Sequence, residues 1–378
     1  MRILHLISSG GMYGAESVIL DLSRALRRMG HESEIGVFAN SAQPNSELRD
    51  RAMSEAIPVH TIPCTGQLDL RVPERVKALV KARGFDVVHS HGYKGDVYAY
   101  LALRRSQVSL VATCHNWIDG DLALRFYGRL DRYVLKRFAG VAAVSAGVRK
   151  RLIAAGVRPD AVRSIRNGVD IHLLSAIDRS QATAARSRLR IGIVARLSPE
   201  KGVDSFLRMA ALLVDHLPTA QFLVAGEGPE RVMLERMIGE LSLEGRAVLL
   251  GRQEDMPAFY RQLDLLVLSS RTEGLPMAVL EGMASGLPVV ATRVGEVPEV
   301  VQEDRTGYVV AVEDAEALAS AVRRIFADPV GLRSMGEAAR EAVKAQFSAE
   351  RMAEDYLAFY QSVSHDQRSR KAAMGAAS

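Results

Sequence analysis

Cysteine is almost missing from this 378-residue chain: Cys64 and Cys114 are too few for a disulfide framework and read as reduced thiols without chemistry of their own. Long apolar runs are missing as well. No stretch approaches the ~18 consecutive apolar residues of a membrane span, and the opening MRILHLISSGG lacks the apolar core and cleavage site of a secretory signal. A cytoplasmic location is therefore expected. Excess charge of one sign is absent too, since a formal net charge of +5 at this length leaves no electrostatic footprint for nucleic acid. What remains is an ordinary globular composition, with 48% apolar and 25% charged residues and 30 glycines against 13 prolines. The chain is too long for one core, so two domains are expected.

Short β-rich apolar runs alternate with helical patterns from the first residues, which predicts parallel βαβ layers. The predicted strands of the first half are residues 3–7, 35–39, 87–89, 110–113, 141–144 and 162–165. A helix is predicted over residues 16–29, where Val18, Leu22, Ala25, Leu26 and Met29 recur at helical spacing before Gly30. Polar, small and basic residues then break the rhythm over 171–187, which reads as a linker. Alternation resumes with strands at 189–194, 221–225, 248–250, 265–268, 289–291 and 308–310. The fold class is thus α/β, with two doubly wound, Rossmann-like domains over residues 1–170 and 188–347 and a cleft between them. Residues 364–378, polar and small, are expected to be a disordered tail. Ligands of such sheets bind beyond the carboxyl ends of the strands, so functional residues are sought there.

Several loops at those edges carry suitable chemistry. After the first strand, SSGGMYGAE places Gly10, Gly11 and Gly14 before a helix start, either a tight turn or a loop whose amides meet an anion or hydroxyls. Its spacing is not that of a dinucleotide fingerprint. In ARLSPEKG, Arg196 and Lys201 form a cationic pair suited to clamping a diphosphate, whose departing charge needs stabilisation. GEGPE follows the next strand, where Gly226 and Gly228 allow close backbone approach to a ligand. The sharpest signal is SSRTEGLPMAVLEGMASGLPVVAT. Here the amides of Gly274 and Leu275 suit phosphate oxygens, Pro276 suits a first helical position, and Glu273 and Glu281 suit sugar and ribose hydroxyls.

In the first half, His89 and His91 end a strand on one face, and a third histidine would complete a metal set; no carboxylate or thiol at ligand spacing accompanies them, so a polar lining is preferred. Cys114 and His115 are adjacent and point oppositely, which argues against a thiol nucleophile pair; His115 is then either a satisfied structural histidine or the residue of this half that touches a sugar or its phosphate. Asp119 and Asp121 have D-x-D spacing but lie in the half without the phosphate clamp, so no metal is assigned there. Arg125, Arg129, Arg132 and Lys136 recur on one helical face, opposite Phe126, Leu130, Tyr133 and Val134 expected in a core. That stripe is either a solvated face or one turned to an anionic membrane surface.

The strings GGMYGAE, DVVHSHG, TCHN, VSAGV, RNGVD, GIVARLSPEKG, VAGEGPE, LLGR, EGLPMAVLEGMASGLPVVAT, VGEVPEVV and GYVV together resemble glycosyltransferase family 4, retaining enzymes of the GT-B fold. The resemblance runs to about Tyr360 and is stronger in the second half. It implies that Arg196 and Lys201 clamp the donor diphosphate, Glu281 holds the ribose, Glu273 the donor sugar, and that His115 contacts that sugar. It also implies a loop Gly10, Gly11, Gly14 beside the phosphates, a nucleobase near Gly251, and a last helix, residues 348–363, crossing back to the first domain. No metal or resident cofactor is implied, only a UDP- or GDP-linked sugar as co-substrate. The partners implied are that donor and a sugar or lipid-linked acceptor of cell-surface polysaccharide or glycolipid synthesis, with peripheral membrane contact as an extension. Two other readings are a nucleotide-sugar binding protein without catalysis and a sugar-nucleotide epimerase or phosphorylase on the same fold.

Overall fold

The computed structural model describes residues 1–40, 46–66, 69–115, 122–175 and 188–375. They divide into two units, Met1–Gly168 with Ala349–Ser378, and Val169–Ser348. In the first unit the strands are β1 (Arg2–Ile7), β2 (Glu32–Asn40), β3 (Val59–Cys64), β4 (Val87–His91), β5 (Ser109–Cys114), β6 (Gly140–Ala143) and β7 (Val162–Ser164). They form one sheet in the order β3-β2-β1-β4-β5-β6-β7. The second unit holds β8 (Arg190–Val194), β9 (Gln221–Ala225), β10 (Ala247–Gly251), β11 (Leu265–Leu268), β12 (Val289–Thr292) and β13 (Gly307–Val310), in the order β10-β9-β8-β11-β12-β13. Every pairing is parallel, as expected of buried strands such as VVHSH and SLVATC that have no exposed residue. Each unit is therefore doubly wound, with its chain reversing direction of winding between β1 and β4 and between β8 and β11.

The sequence locates most of these strands, but β3 is an addition. Its residues VHTIPC expose Thr61 and Pro63 and bury Ile62 and Cys64, the pattern of a sheet edge. Edge strands need no continuous apolar run and tolerate proline. The predicted helix at 16–29 is found as Gly14–Arg28, with the Glu16 carboxylate accepting from the Tyr13 amide and Val18, Leu22, Ala25 and Leu26 buried.

Residues 171–175 are not extended linker. They form a short helix, Ile171–Ser175, whose Ile171 and Leu174 join the core of the second unit; the rest of the predicted linker lies outside the described residues. The tail expectation also changes. The final helix runs Ala349–Gly375, because the alanine-rich, lysine- and arginine-bearing stretch expected to be a loose tail has good helix propensity. This helix belongs to the first unit, where Met352, Tyr356, Phe359, Tyr360 and Val363 are buried at helical spacing. A Cβ at Gly140 would stand 2.5 Å from the Phe359 ring, so the glycine on β6 makes room for that contact.

On the helix Leu122–Leu135, Val134 is buried as expected, but Tyr133 is 52% exposed and carries the Arg137 guanidinium 3.7 Å from its ring centroid. Tyr133 thus extends the basic face instead of joining the core, since its phenol satisfies itself better in water beside a cation. Arg129 and Lys136 are exposed, and Arg132 donates to the Gly128 carbonyl. The side chains of Arg125 and Phe126, like Asp119 and Asp121, lie outside the described residues. No helix among the described residues is long and apolar enough to cross a membrane.

Candidate functional site

In the second unit, the loops that follow β8 and β11 flank the point where winding reverses, the position at which open α/β sheets take ligands. The β8 loop carries Arg196 and then a turn of 3-10 helix, Pro199–Lys201. It closes at Gly202, whose φ of +59° is left-handed and whose Cβ would stand 2.2 Å from the Ser269 carbonyl. Only glycine fits between these two loops. Lys201 Nζ consequently reaches Glu273 Oε1 at 2.7 Å, and Ser270 donates to the same oxygen at 2.7 Å. Glu273 Oε2 accepts no hydrogen bond among the described residues. Arg196 is exposed and makes no ion pair among the described residues, a cation left open to an anion.

Arg271, which sequence reasoning passed over, stitches this arrangement together. Its guanidinium donates to the Pro199 carbonyl at 2.5 Å, to Asp204 at 2.8 Å and to Glu313 at 2.6 Å, so it holds the β8 loop against the β11 loop. Beyond it, the amides of Gly274 and Leu275 donate to no acceptor among the described residues. Pro276 is the N-cap of the helix Met277–Ala284, not its first residue, because its ψ of 117° is extended. The Leu275 side chain is buried in the core, so only its backbone faces outward chemistry.

Glu281 stands within that helix and is held separately, by the Tyr260 hydroxyl donating to Oε2 at 2.7 Å. Burial pushes the Glu281 carboxyl above its ordinary pKa, partly offset by that hydrogen bond. Gly226 has φ of +143°, and a Cβ there would lie 1.8 Å from the Ala195 carbonyl. A Cβ at Gly228 would lie 2.3 Å from the Leu197 carbonyl. These glycines therefore let their backbone pass close to the Arg196 loop. Gly251 ends β10 at φ of +71° and its carbonyl accepts from the Gly226 amide, so the three loops are bonded in series.

The first unit presents different chemistry at its own reversal point. In the β1 loop, Gly11 is buried with φ of +156°, Ser9 Oγ bridges its amide and carbonyl, and Gly14 opens the following helix. This loop is self-bonded through Ser9 and through the Met12 amide to Glu47. Four histidines lie beside it. His5 of β1 pairs in register with His89 of β4, and His91 pairs with Thr113 of β5, so their side chains share one face. His89 Nδ1 lies 2.7 Å from the Tyr360 hydroxyl and Nε2 2.7 Å from Thr113 Oγ1, which lies 2.7 Å from the Tyr356 hydroxyl. His5 Nδ1 lies 3.2 Å from His91 Nε2, and His91 Nδ1 lies 3.4 Å from His115 Nε2.

The third histidine considered for a metal set is thus His5, and one ligand atom from each of His5, His89 and His91 lies within 4.8 Å of the others. Both nitrogens of His89 are nevertheless committed to hydroxyls, so the cluster is assembled as a hydrogen-bond network. Burial pushes His5 down to about 3 and His115 down to about 4, and holds His89 and His91 well below the ordinary histidine range. All four are neutral near pH 7. Cys114, on the opposite face, is buried in the core and its thiol is pushed up by burial, which removes it from chemistry.

Against known proteins, residues 12–173 match the family described as Glycosyltransferase Family 4, and residues 176–342 match Glycosyl transferases group 1. The chain is 26% identical to the N-acetyl-alpha-D-glucosaminyl L-malate synthase of Bacillus anthracis, over 97% of each. It is 29% identical to the GDP-mannose-dependent alpha-(1-6)-phosphatidylinositol monomannoside mannosyltransferase of Mycolicibacterium smegmatis, over 81% of this chain and 85% of the relative. Among solved structures, Anabaena HepE in complex with UDP and glucose superposes with a TM-score of 0.81 at 24% identity, covering 96% of this chain and all of that one. That likeness establishes the GT-B architecture of two Rossmann-like domains.

Proposed function

The chain belongs to the family 4 type of glycosyltransferases, and from that premise we propose that its second unit binds a UDP- or GDP-linked sugar whose glycosyl group is transferred with retention to an acceptor hydroxyl. The observation that carries this reading is the pairing, at the β8–β11 reversal, of two cations, Arg196 and Lys201, with the backbone amides of Gly274 and Leu275, which meet no acceptor among the described residues. That set suits a pyrophosphate. Carboxylates repel phosphate, so the open oxygens of Glu273 and Glu281 suit neutral hydroxyls, of the sugar and of the ribose respectively. Gly251 borders the position assigned to the nucleobase. In the first unit, the β1 loop of Gly11 and Gly14 and the side chain of His115 are assigned to the phosphate and sugar.

In this reading the bond from the anomeric carbon to the diphosphate oxygen breaks as the acceptor oxygen bonds to the same face of that carbon. The acceptor proton passes to the departing diphosphate, and Arg196 and Lys201 stabilise the charge that develops there. No metal and no resident cofactor is assigned a part. The acceptor is proposed to be a sugar or lipid-linked molecule of cell-surface polysaccharide or glycolipid synthesis. Support comes from relatives named for such substrates and from the exposed Arg129, Lys136 and Arg137 beside Tyr133, a face fit for peripheral contact with anionic lipid at the cytoplasmic side.

A thermal-shift panel of UDP, GDP, UDP-glucose and GDP-mannose, followed by assay of donor hydrolysis, tests the proposal. One nucleotide series should raise the melting temperature by mass action and its sugar should be cleaved. Stabilisation without any cleavage or transfer would favour a binding protein, and no stabilisation by either series would remove the reading.

A further inference from the structure

The two hydrogen-bonded chains on the covered face of the first sheet end differently. His89 is tied off at both nitrogens by hydroxyls of Tyr360 and Thr113, whereas the chain from His5 through His91 runs outward to His115, the first residue after β5. We propose that His5 and His91 are positioning residues that fix the tautomer of His115, so that it accepts at Nε2 from His91 and carries its proton on Nδ1. This rests on the assignment of His115 to the sugar side of the reaction.

The direction follows from counting protons. A neutral imidazole has one N–H and one lone pair, so a chain of three rings joined nitrogen to nitrogen has only two consistent arrangements. In one, His5 Nδ1–H donates to His91 Nε2, and His91 Nδ1–H donates to His115 Nε2. In the other, every donor and acceptor is exchanged, and His5 is left protonated on Nε2. His5 Nε2 is buried and has no hydrogen-bond partner among the described residues. An orphaned N–H in such a place is the rarer outcome, and an empty lone pair is tolerated better. The unpartnered atom at the inner end therefore selects the first arrangement, and the selection is transmitted about two rings outward to His115.

The consequence is chemical. With Nε2 occupied as an acceptor, the ring has a hydrogen-bond donor, Nδ1–H, left for a sugar hydroxyl or a phosphate oxygen. In the reversed arrangement it would offer a lone pair, which a phosphate oxygen repels. Free histidine prefers the Nε2–H tautomer, so the chain imposes the less common state. The rings are also held in orientation: His91 and His115 stack at 5.7 Å between centroids with an interplanar angle of 28°, and the ring of His89 lies tilted by 37° with its centroid 4.1 Å from that of His91.

The test is the tautomer itself, read in the full-length protein labelled with 15N-histidine through long-range 1H–15N correlations. Assignment among the nine histidines uses the single variants. Wild type should show His115 protonated on Nδ1. His91→Leu removes the donor and should return His115 to a mixture dominated by Nε2–H, whereas His91→Asn, whose amide can donate in place of Nδ1, should keep Nδ1–H. If His91→Leu fails to fold, His5→Phe provides the same readout, because it removes the end that selects the direction. With UDP-glucose and GDP-mannose as probes, kcat for the hydrolysed donor should fall about tenfold in His91→Leu with little change in KM, and recover to within about threefold in His91→Asn. An Nε2–H tautomer for His115 in wild type, or an unchanged tautomer in His91→Leu, overturns the proposal. Failure of both donors to turn over in wild type bears on the proposed function alone and leaves the tautomer result to decide.

Discussion

The first and second sheets wind in one order, yet they equip the reversal point in opposite ways. In the second unit the groups at that point are charged and loop-borne: Arg196 without an ion pair, Lys201 on Glu273, and the amides of Gly274 and Leu275 without an acceptor, among the described residues. In the first unit they are strand-borne, buried and neutral: His5, His89, His91 and Thr113 under Tyr356 and Tyr360. One topology thus presents two kinds of chemistry at its reversal point, charged groups on loops in the second unit and buried neutral rings on strands in the first.

The largest expected effect concerns how the loops are built. Gly226→Ala should cost about 3 kcal/mol or prevent folding, because its Cβ would overlap the Ala195 carbonyl, whereas Gly10→Ala in the first unit meets nothing within 4 Å among the described residues and should change stability by less than about 0.5 kcal/mol. Urea denaturation of the two variants checks the difference. Equal costs would mean that the second unit's loops are not closed on one another as described.

Next comes charge. Arg196→Ala or Lys201→Ala should lower turnover of a cleaved donor by ~100-fold at saturation, the scale of losing one preorganised charge-stabilising donor. Steady-state kinetics decide, and wild-type turnover in either variant would break the claim that the second unit works by electrostatics.

The pH response sets His5 of the first unit against Glu281 of the second. His5 titrates at about 3 in the folded chain, below the ordinary histidine value of ~6.5, so the folded state holds fewer protons; its stabilisation is full above pH ~6.5 and is lost as pH falls toward 3. Glu281 is shifted upward by burial, so its stabilisation is full below the ordinary carboxyl value and is lost as pH rises. Asp96, pushed up by burial beside Asp131, acts in the first unit with the sign of Glu281, so the histidine effect is read by difference. Between pH 7 and pH 5, wild type should lose about 2 kcal/mol of stability relative to His5→Leu in chemical denaturation, whichever is the more stable at pH 7. A constant gap would mean that His5 is not buried in its neutral form.

The smallest effect is Tyr260→Phe. Loss of its hydrogen bond to Glu281 should weaken UDP or GDP binding about fivefold in calorimetry, while Tyr356→Phe in the first unit should leave that affinity unchanged. Equal effects would dissolve the division of labour.

Legibility in the sequence follows the same division. The cations and glutamates of the second unit sit in short local strings, ARLSPEKG and SSRTEGLPMAVLEG, so the sequence marks them as one group, and Lys201 does meet Glu273. The histidine network is not so marked, because residues 5, 89, 91, 113, 115, 356 and 360 meet only through strand order and the return of the last helix. His5 does leave one trace, a titratable residue inside the apolar run RILHLI. Gly226 and Gly228 are legible in part for a related reason: a glycine signals close approach, but the sequence does not name the Ala195 and Leu197 carbonyls that lie against these two. Arg271 looks like one more loop cation until its three partners, on the β8 loop and at positions 204 and 313, are seen together.

Calorimetric titration of UDP and of GDP into wild-type protein and into Arg196→Ala and Lys201→Ala addresses the pyrophosphate grip most directly. The account predicts saturable one-site binding of at least one nucleotide to wild type, weakened at least about tenfold by either substitution. Wild-type affinity retained in both variants, or no binding of either nucleotide to the intact protein, would contradict it.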